Sequence, residues 1–252
     1  MSDKSISLVR RYFDEHSDEY VDNCLNNSVS LYKKKNAFLN VHVQYDPSAV
    51  LEVLDIGAGG GIWADLFLDD YPRARLFCLD VSSLMLRKCR PKPGKYFVVG
   101  DGMNPPFPNS RFDLINLDAL MHHLVDHSGY LATILKIIKF LRSLKTLLNQ
   151  QGRVIVSEIY HESILRDEMV SRLLFFVSTL NLPNFLRSPL RTLVRTQGVG
   201  VCFLTRRQWA WVIAQSGYRI EGSKDLRWNI PFLGRLFGFK ASGDLFLLLS
   251  PM

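Results

Sequence analysis

Cysteine is scarce in this chain of 252 residues. Cys24, Cys78, Cys89 and Cys202 are scattered without a Cys-x-x-Cys pair, so neither a zinc ribbon nor a disulfide framework is expected and the thiols read as reduced. No apolar run approaches the roughly 18 residues that a membrane-spanning helix needs. The opening Met1-Ser2-Asp3-Lys4-Ser5 lacks the charged-then-apolar layout of a signal peptide, which sets the expectation of a cytoplasmic protein. Internal repeats and low-complexity tracts are missing too. No Gly-Lys-Ser/Thr follows a glycine cluster, which excludes a phosphate-binding loop. Acidic residues are outnumbered, 24 Asp and Glu against 31 Lys and Arg, a formal net charge of +7. Such an excess reads first as a basic solvated surface, and a nucleic-acid partner is not expected.

What is present is an alternation. After residue 50, strand and helix signals follow one another, the mark of a parallel sheet covered on both faces. Strands are predicted at Val50–Ile56, Arg75–Asp80, Tyr96–Gly100, Phe112–Leu117, Arg153–Ser157, Tyr218–Lys224 and Asp244–Ser250. Helices are predicted at Ile62–Tyr71, Leu84–Lys88 and Tyr130–Leu148, the last with Leu131, Ile134, Ile137, Ile138, Leu141 and Leu144 at helical spacing. Two regions fall outside this pattern. Ile6 to His42 reads as helices carrying Tyr12, Phe13, Tyr20 and Tyr32, placed to fold over the sheet. His161 to Val201, with Leu173 to Val177 and then Arg187, Arg191 and Arg195, reads as a helical cap over a substrate. The expected organisation is one domain over 1–252: an N-terminal helical lid at 1–45, a cofactor-binding core at 46–160, the cap at 161–203 and the end of the sheet at 204–252.

The informative segment is Val53-Leu54-Asp55-Ile56-Gly57-Ala58-Gly59-Gly60-Gly61-Ile62-Trp63. A buried strand runs into glycines that let backbone approach a ligand before a helix begins. Counted as Gly-x-Gly-x-x-Gly, the third position falls on the β-branched Ile62, which disfavours a dinucleotide. The pattern present is Asp55-x-Gly57-x-Gly59-x-Gly61, and its acid suits a cationic ligand better than a pyrophosphate. Asp80, 23 residues beyond Gly57, ends the second strand where a ribose diol can donate to it. Its alternative is a helix cap, shared with Ser82. Asp101-Gly102 ends the third strand and suits an exocyclic adenine amine, or else a plain turn.

These pieces resemble motif I and the following motifs of the class I S-adenosylmethionine-dependent methyltransferases of small molecules, over roughly residues 10 to 160 and more loosely at Leu204 to Tyr218. The resemblance implies a Rossmann-like, mostly parallel seven-stranded sheet with helices on both faces, its final strand antiparallel. It implies S-adenosylmethionine as cofactor and S-adenosylhomocysteine as product. Gly57, Gly59 and Gly61 would lie against the methionine part, Asp80 on the ribose and Asp101 near the adenine. Tyr20, Asp55, Ala58, Val81, Gly102, Met103 and Leu117 complete the implied cofactor site.

The acceptor side is less sharply marked. Asn116-Leu117-Asp118-Ala119-Leu120-Met121-His122-His123-Leu124 follows the fourth strand, and His123 fits the register of the family's His-Leu pair, with His122 as the adjacent alternative. A histidine there is suited to take a proton from an oxygen or nitrogen nucleophile. Glu158, past the fifth strand, is a third candidate beside His161. Adjacent histidines point about 100° apart in a helix, unlike an i, i+4 pair, so no metal is expected. Asn104-Pro105-Pro106-Phe107 looks like a base-flipping motif, yet it follows the third strand, where that role is misplaced. The stretch Trp228 to Lys240, rich in aromatics with Arg235 and Lys240, reads as packing on its own domain or as a subunit contact, with a peripheral membrane contact or a hydrophobic-substrate element as the second reading. The function expected is methyl transfer to O, N or C of a small, fairly apolar acceptor. The alternative is a cofactor-binding protein that does not transfer methyl, either a regulator or a scaffold for another reaction such as a cyclisation.

Overall fold

The computed structural model describes residues 4–180, 199–236 and 238–252. Three helices come first: α1 (Lys4–Glu15), α2 (Ser17–Asn27) and α3 (Val29–His42). The alternation then runs β1 (Glu52–Ile56), α4 (Ile62–Asp70), β2 (Arg75–Asp80), α5 (Ser83–Arg87), β3 (Lys95–Val99), β4 (Phe112–Asp118), α6 (Tyr130–Leu144) and β5 (Leu148–Ser163). It closes with α7 (Met169–Thr179), α8 (Arg206–Gln215), β6 (Tyr218–Arg227), α9 (Phe232–Leu236) and β7 (Phe239–Pro251). A single turn of 3₁₀-helix, Met121–His123, follows β4. Arg187, Arg191 and Arg195 of the expected cap lie outside the described residues.

The strands form one sheet in the order β3-β2-β1-β4-β5-β7-β6. β1 to β5 are parallel, and β7 runs antiparallel between β5 and β6. Order reverses between β1 and β4, so the loops leaving these strands part there and open a crevice at their C-terminal ends.

Side-chain alternation decides what each strand residue can reach. Leu54 and Ile56 of β1, with Ile115 and Leu117 of β4, enter the core under Ile137 and Leu141 of α6 and Trp209 and Ile213 of α8. Val53 and Leu114 face the opposite core, under Phe38 and Leu39 of α3 and Trp63 and Phe67 of α4. Asp55, Asn116 and Asp118 share the parity of that second face and therefore meet α3. α3 is tied down by polar bonds: Trp63 Nε1 donates to Asn36 Oδ1 at 2.9 Å, and Asn36 Nδ2 donates to Asp70 Oδ2 at 3.0 Å. α8 begins with a capping box in which Thr205 and Gln208 satisfy each other's backbone amides.

β5 and β7 are much longer than expected. Ser157 pairs with Asp118, at the level of the crevice, and β5 continues to Ser163. Six residues at about 3.3 Å each carry it about 20 Å beyond that level. The strand expected to end at Ser157 thus includes Glu158 to Glu162, paired antiparallel with Ala241 to Leu245.

Candidate functional site

Four loops meet at the crevice: those leaving β1, β2, β3 and β4. Gly57 and Gly59 have φ of +72° and +55°, the left-handed region that favours glycine. A Cβ on Gly57 would stand 2.8 Å from Leu120 Cδ1, so the β1 and β4 loops lie close together, and a side chain at Gly57 would make Leu120 shift. Ala119 carries a φ of +48° with no such freedom, strain of the kind concentrated at functional sites. Its N–H donates to Ser157 O at 2.8 Å, which holds the turn.

A cavity lies between these loops, α6 and the N-terminal helices. Of the residues expected from sequence at the cofactor, Tyr20, Gly57, Gly59, Asp80, Val81, Asp101, Gly102 and Met103 line it, and His123 lines it on the acceptor side. Asp80 Oδ2 accepts from Gly59 N at 2.9 Å and Oδ1 from Ser82 N at 2.8 Å. The backbone amides of Ser82, Gly59 and Val81 favour the charged carboxylate, but burial outweighs them and raises the carboxyl above its usual value. Ser82, which alternated with Asp80 as a cap, is the residue that caps α5 by accepting from Met85 N. Asp101 forms the turn that was its alternative reading, accepting from Met103 N at 2.8 Å and Asn104 Nδ2 at 3.1 Å, while still lining the cavity.

Other expected residues are set back from the cavity. Leu117 lies in the core beneath α6, on the face opposite Asp118, because of its strand parity. Asp55 is buried and accepts from Asn116 Nδ2 at 2.7 Å; desolvation pushes its carboxyl up to about 7. It therefore does not present a carboxylate to a cationic ligand directly. Gly61 begins α4, where a Cβ would meet Lys95 Nζ at 2.7 Å. Ala58 packs on the core under α3 and α4. His122 Nδ1 is 2.7 Å from Glu158 Oε2, and Glu158 Oε1 accepts from Met121 N at 2.5 Å. Both side chains are buried and bind each other, so this pair fixes the turn after β4, and Glu158 is not at a solvated edge. His161 is likewise buried, 2.8 Å from Ser242 Oγ, and burial lowers it to about 4.

Further residues line the cavity; the sequence names Phe13 among the aromatics of the N-terminal helices but does not mark Ile6 or Val9. Ile6, Val9 and Phe13 of α1 cover it, with the Phe13 ring edge-on to both Tyr20 and His123 at centroid distances of 5.3 and 5.4 Å. The signal was the amphipathic spacing of α1, legible as a lid but without registration to the sheet. Asp118 also lines the cavity. Its carboxylate lies 3.4 Å from the ammonium of Lys35, a fully buried lysine on α3. Desolvation lowers Lys35, and Asp118 with Asp55 opposes that shift. Asp118 Oδ2 and His123 Nδ1 are buried with no hydrogen-bond partner among the described residues. Burial, with the neighbouring His122, holds His123 well below the usual histidine range and so neutral. Tyr20 is raised by burial and stays a phenol.

The arrangement fits S-adenosylmethionine: an acid beside glycine backbone, apolar walls from Leu79, Met103 and Phe140, and unsatisfied polar atoms at the far end. Residues 53–143 match the family described as methyltransferase domain. The Legionella pneumophila malonyl-[acyl-carrier protein] O-methyltransferase is 28% identical over 118 residues, which is 45% of this chain and 40% of that relative's length. Among solved structures, a chain of the complex between the Haloferax volcanii Trm112 methyltransferase activator and a methyltransferase matches with a TM-score of 0.65, 14% identity, and coverage of 96% of this chain and 97% of that one. The Burkholderia thailandensis 1,6-didemethyltoxoflavin-N1-methyltransferase, solved with S-adenosylhomocysteine, matches with a TM-score of 0.60, 16% identity, and coverage of 98% and 88%. The likeness to the class I S-adenosylmethionine-dependent methyltransferases is thus shown in the core sequence and in the fold.

Proposed function

We propose that this chain transfers a methyl group from S-adenosylmethionine to an oxygen, nitrogen or carbon of a small, largely apolar acceptor. The observation that carries the proposal is the cavity at the β1/β4 reversal, which joins Asp80 and the glycine backbone to a neutral histidine under an apolar cover. When bound, the cofactor supplies an electrophilic methyl on a positively charged sulfur. The chain's own part is positioning. Asp80 accepts the ribose hydroxyls, and Gly57 and Gly59 allow backbone contact without side-chain clash. Lys35 holds the Asp118 carboxylate at the cavity wall. His123, uncharged, offers Nδ1 to accept a hydrogen bond from an oxygen or nitrogen nucleophile and so orients it. Ile6, Val9 and Phe13 exclude water, and their apolar surface suits an apolar acceptor.

Calorimetric titration with S-adenosylmethionine and S-adenosylhomocysteine tests the cofactor. Binding is expected in the micromolar range, and Asp80→Ala is expected to weaken it by about 100-fold, the loss of two charge-assisted hydrogen bonds. Binding that survives Asp80→Ala undiminished sinks the assignment. Formation of S-adenosylhomocysteine in the presence of apolar acceptors separates transfer from binding alone.

A further inference from the structure

Helix α7, in the segment expected as a cap, is apolar on its solvent side and lines no part of the cavity. Met169, Leu173 and Phe176 form an i, i+4, i+7 stripe facing solvent, while Ser171 and Ser178 are among the residues it buries. Those serines are satisfied inside, Ser171 Oγ donating to His161 O and Ser178 Oγ accepting from Val201 N. Ile164 and Leu165 stand just before the helix, and Ile164 N donates to Gly238 O at 2.9 Å, two residues past the end of α9, where Gly238 lies against Met169. α9 adds Phe232 and Leu236, four apart and so on one face. Exposures are 79% for Leu165, 75% for Phe232, 67% for Leu236, 60% for Phe176 and 56% for Leu173. Single exposed apolar residues are ordinary, but a joined set of large ones is not.

Its setting is also particular. The patch flanks the far end of the β5–β7 ladder, where Ser163 pairs with Phe239. Arg206 stiffens that ladder by bonding Glu162 through both Nε and Nη2 and Asp225 through Nη1. The patch thus projects on a rigid support. Arg166, Arg172, Arg235 and Lys240 stand exposed in the same segments, against Asp167 and Glu168, the latter bridged to Arg172 at 2.9 Å. Protruding aliphatic and aromatic side chains among cations match the two layers of an anionic membrane surface, whose phosphates attract the cations while the acyl boundary takes the apolar side chains.

We propose that α7, the Ile164–Leu165 loop and α9 form a membrane-docking face for anionic lipid bilayers. Co-sedimentation of the full chain with vesicles of phosphatidylcholine, with and without phosphatidylglycerol, tests it. Binding is expected to the anionic vesicles, to weaken as salt is raised, and to fall at least about tenfold in L173D and in F232D, each removing one exposed apolar anchor. Because both side chains are exposed, the variants should fold, and unchanged far-ultraviolet dichroism verifies this. Failure of the wild type to bind anionic vesicles, or equal binding by the variants, overturns the proposal. So does light scattering that finds a wild-type dimer which L173D converts to monomer, since the face would then be covered by a second copy.

Discussion

Asp55 illustrates how a residue can sit inside a binding motif without touching the ligand. It shares a strand face with Asn116 and Asp118, and with them lies under the buried Lys35. Desolvation is the largest influence on its carboxyl and raises it to about 7, while the Asn116 hydrogen bond and Lys35 pull the other way. A group raised in the folded state gives its full stabilisation below the unfolded pKa, near 4, and loses it as pH climbs through the folded value. Asp55→Asn keeps an acceptor for Asn116 and removes the ionisation. Urea unfolding should therefore show the variant gaining on the wild type by on the order of a few kcal/mol between pH 4 and pH 7. A gap that does not change with pH would mean that Asp55 ionises in the folded state as easily as in the unfolded one. At this scale the sequence was partly legible. Spacing from Gly57 located Asp80, and strand-end position located Asp101, because both depend on local register. Asp118 was visible only beside the histidines, since its partner Lys35 lies 83 residues away in sequence and no local pattern joins them.

Among the elements, α1 closes one side of the cavity. Its Ile6, Val9 and Phe13 form one wall, and Phe13 links Tyr20 of α2 to His123 after β4. Phe13→Ala removes that ring and is expected to weaken S-adenosylmethionine binding by about tenfold, by calorimetry, with little change in the thermal midpoint because α1 adds little to either main core. A large fall in the midpoint with unaltered affinity would make α1 a structural strut and not a cover. The α6 helix was readable from its helical spacing, and the central strands because burial on both faces leaves apolar runs, as in Leu76 to Leu79. The outer halves of β5 and β7 were not. Past Ser157 the sequence Glu158-Ile159-Tyr160-His161-Glu162 mixes polar and apolar residues although Glu158, Tyr160 and His161 are buried, and it pairs with β7 and, at Tyr160, with Leu204. The long strand depends on that distant partner.

The whole molecule joins a cofactor-sized crevice to a projecting arm through a single sheet of seven strands. Strand order made the crevice, and strand length made the arm. Both were consequences of pairings that composition and charge do not encode, which is why the net positive charge gave no indication of where cations gather. One property is distributed over the entire fold. Cys24 lies in the lid, Cys78 in β2, Cys89 beyond α5 and Cys202 before α8, and all four are buried. Burial raises every one of these thiols, Cys89 and Cys202 to about 12. Native protein should therefore leave Ellman's reagent almost uncoloured at neutral pH and release four equivalents once unfolded. The natural chain is in effect silent to maleimides, so one cysteine placed at Leu165 would report as a lone fluorophore, with no native thiol to remove.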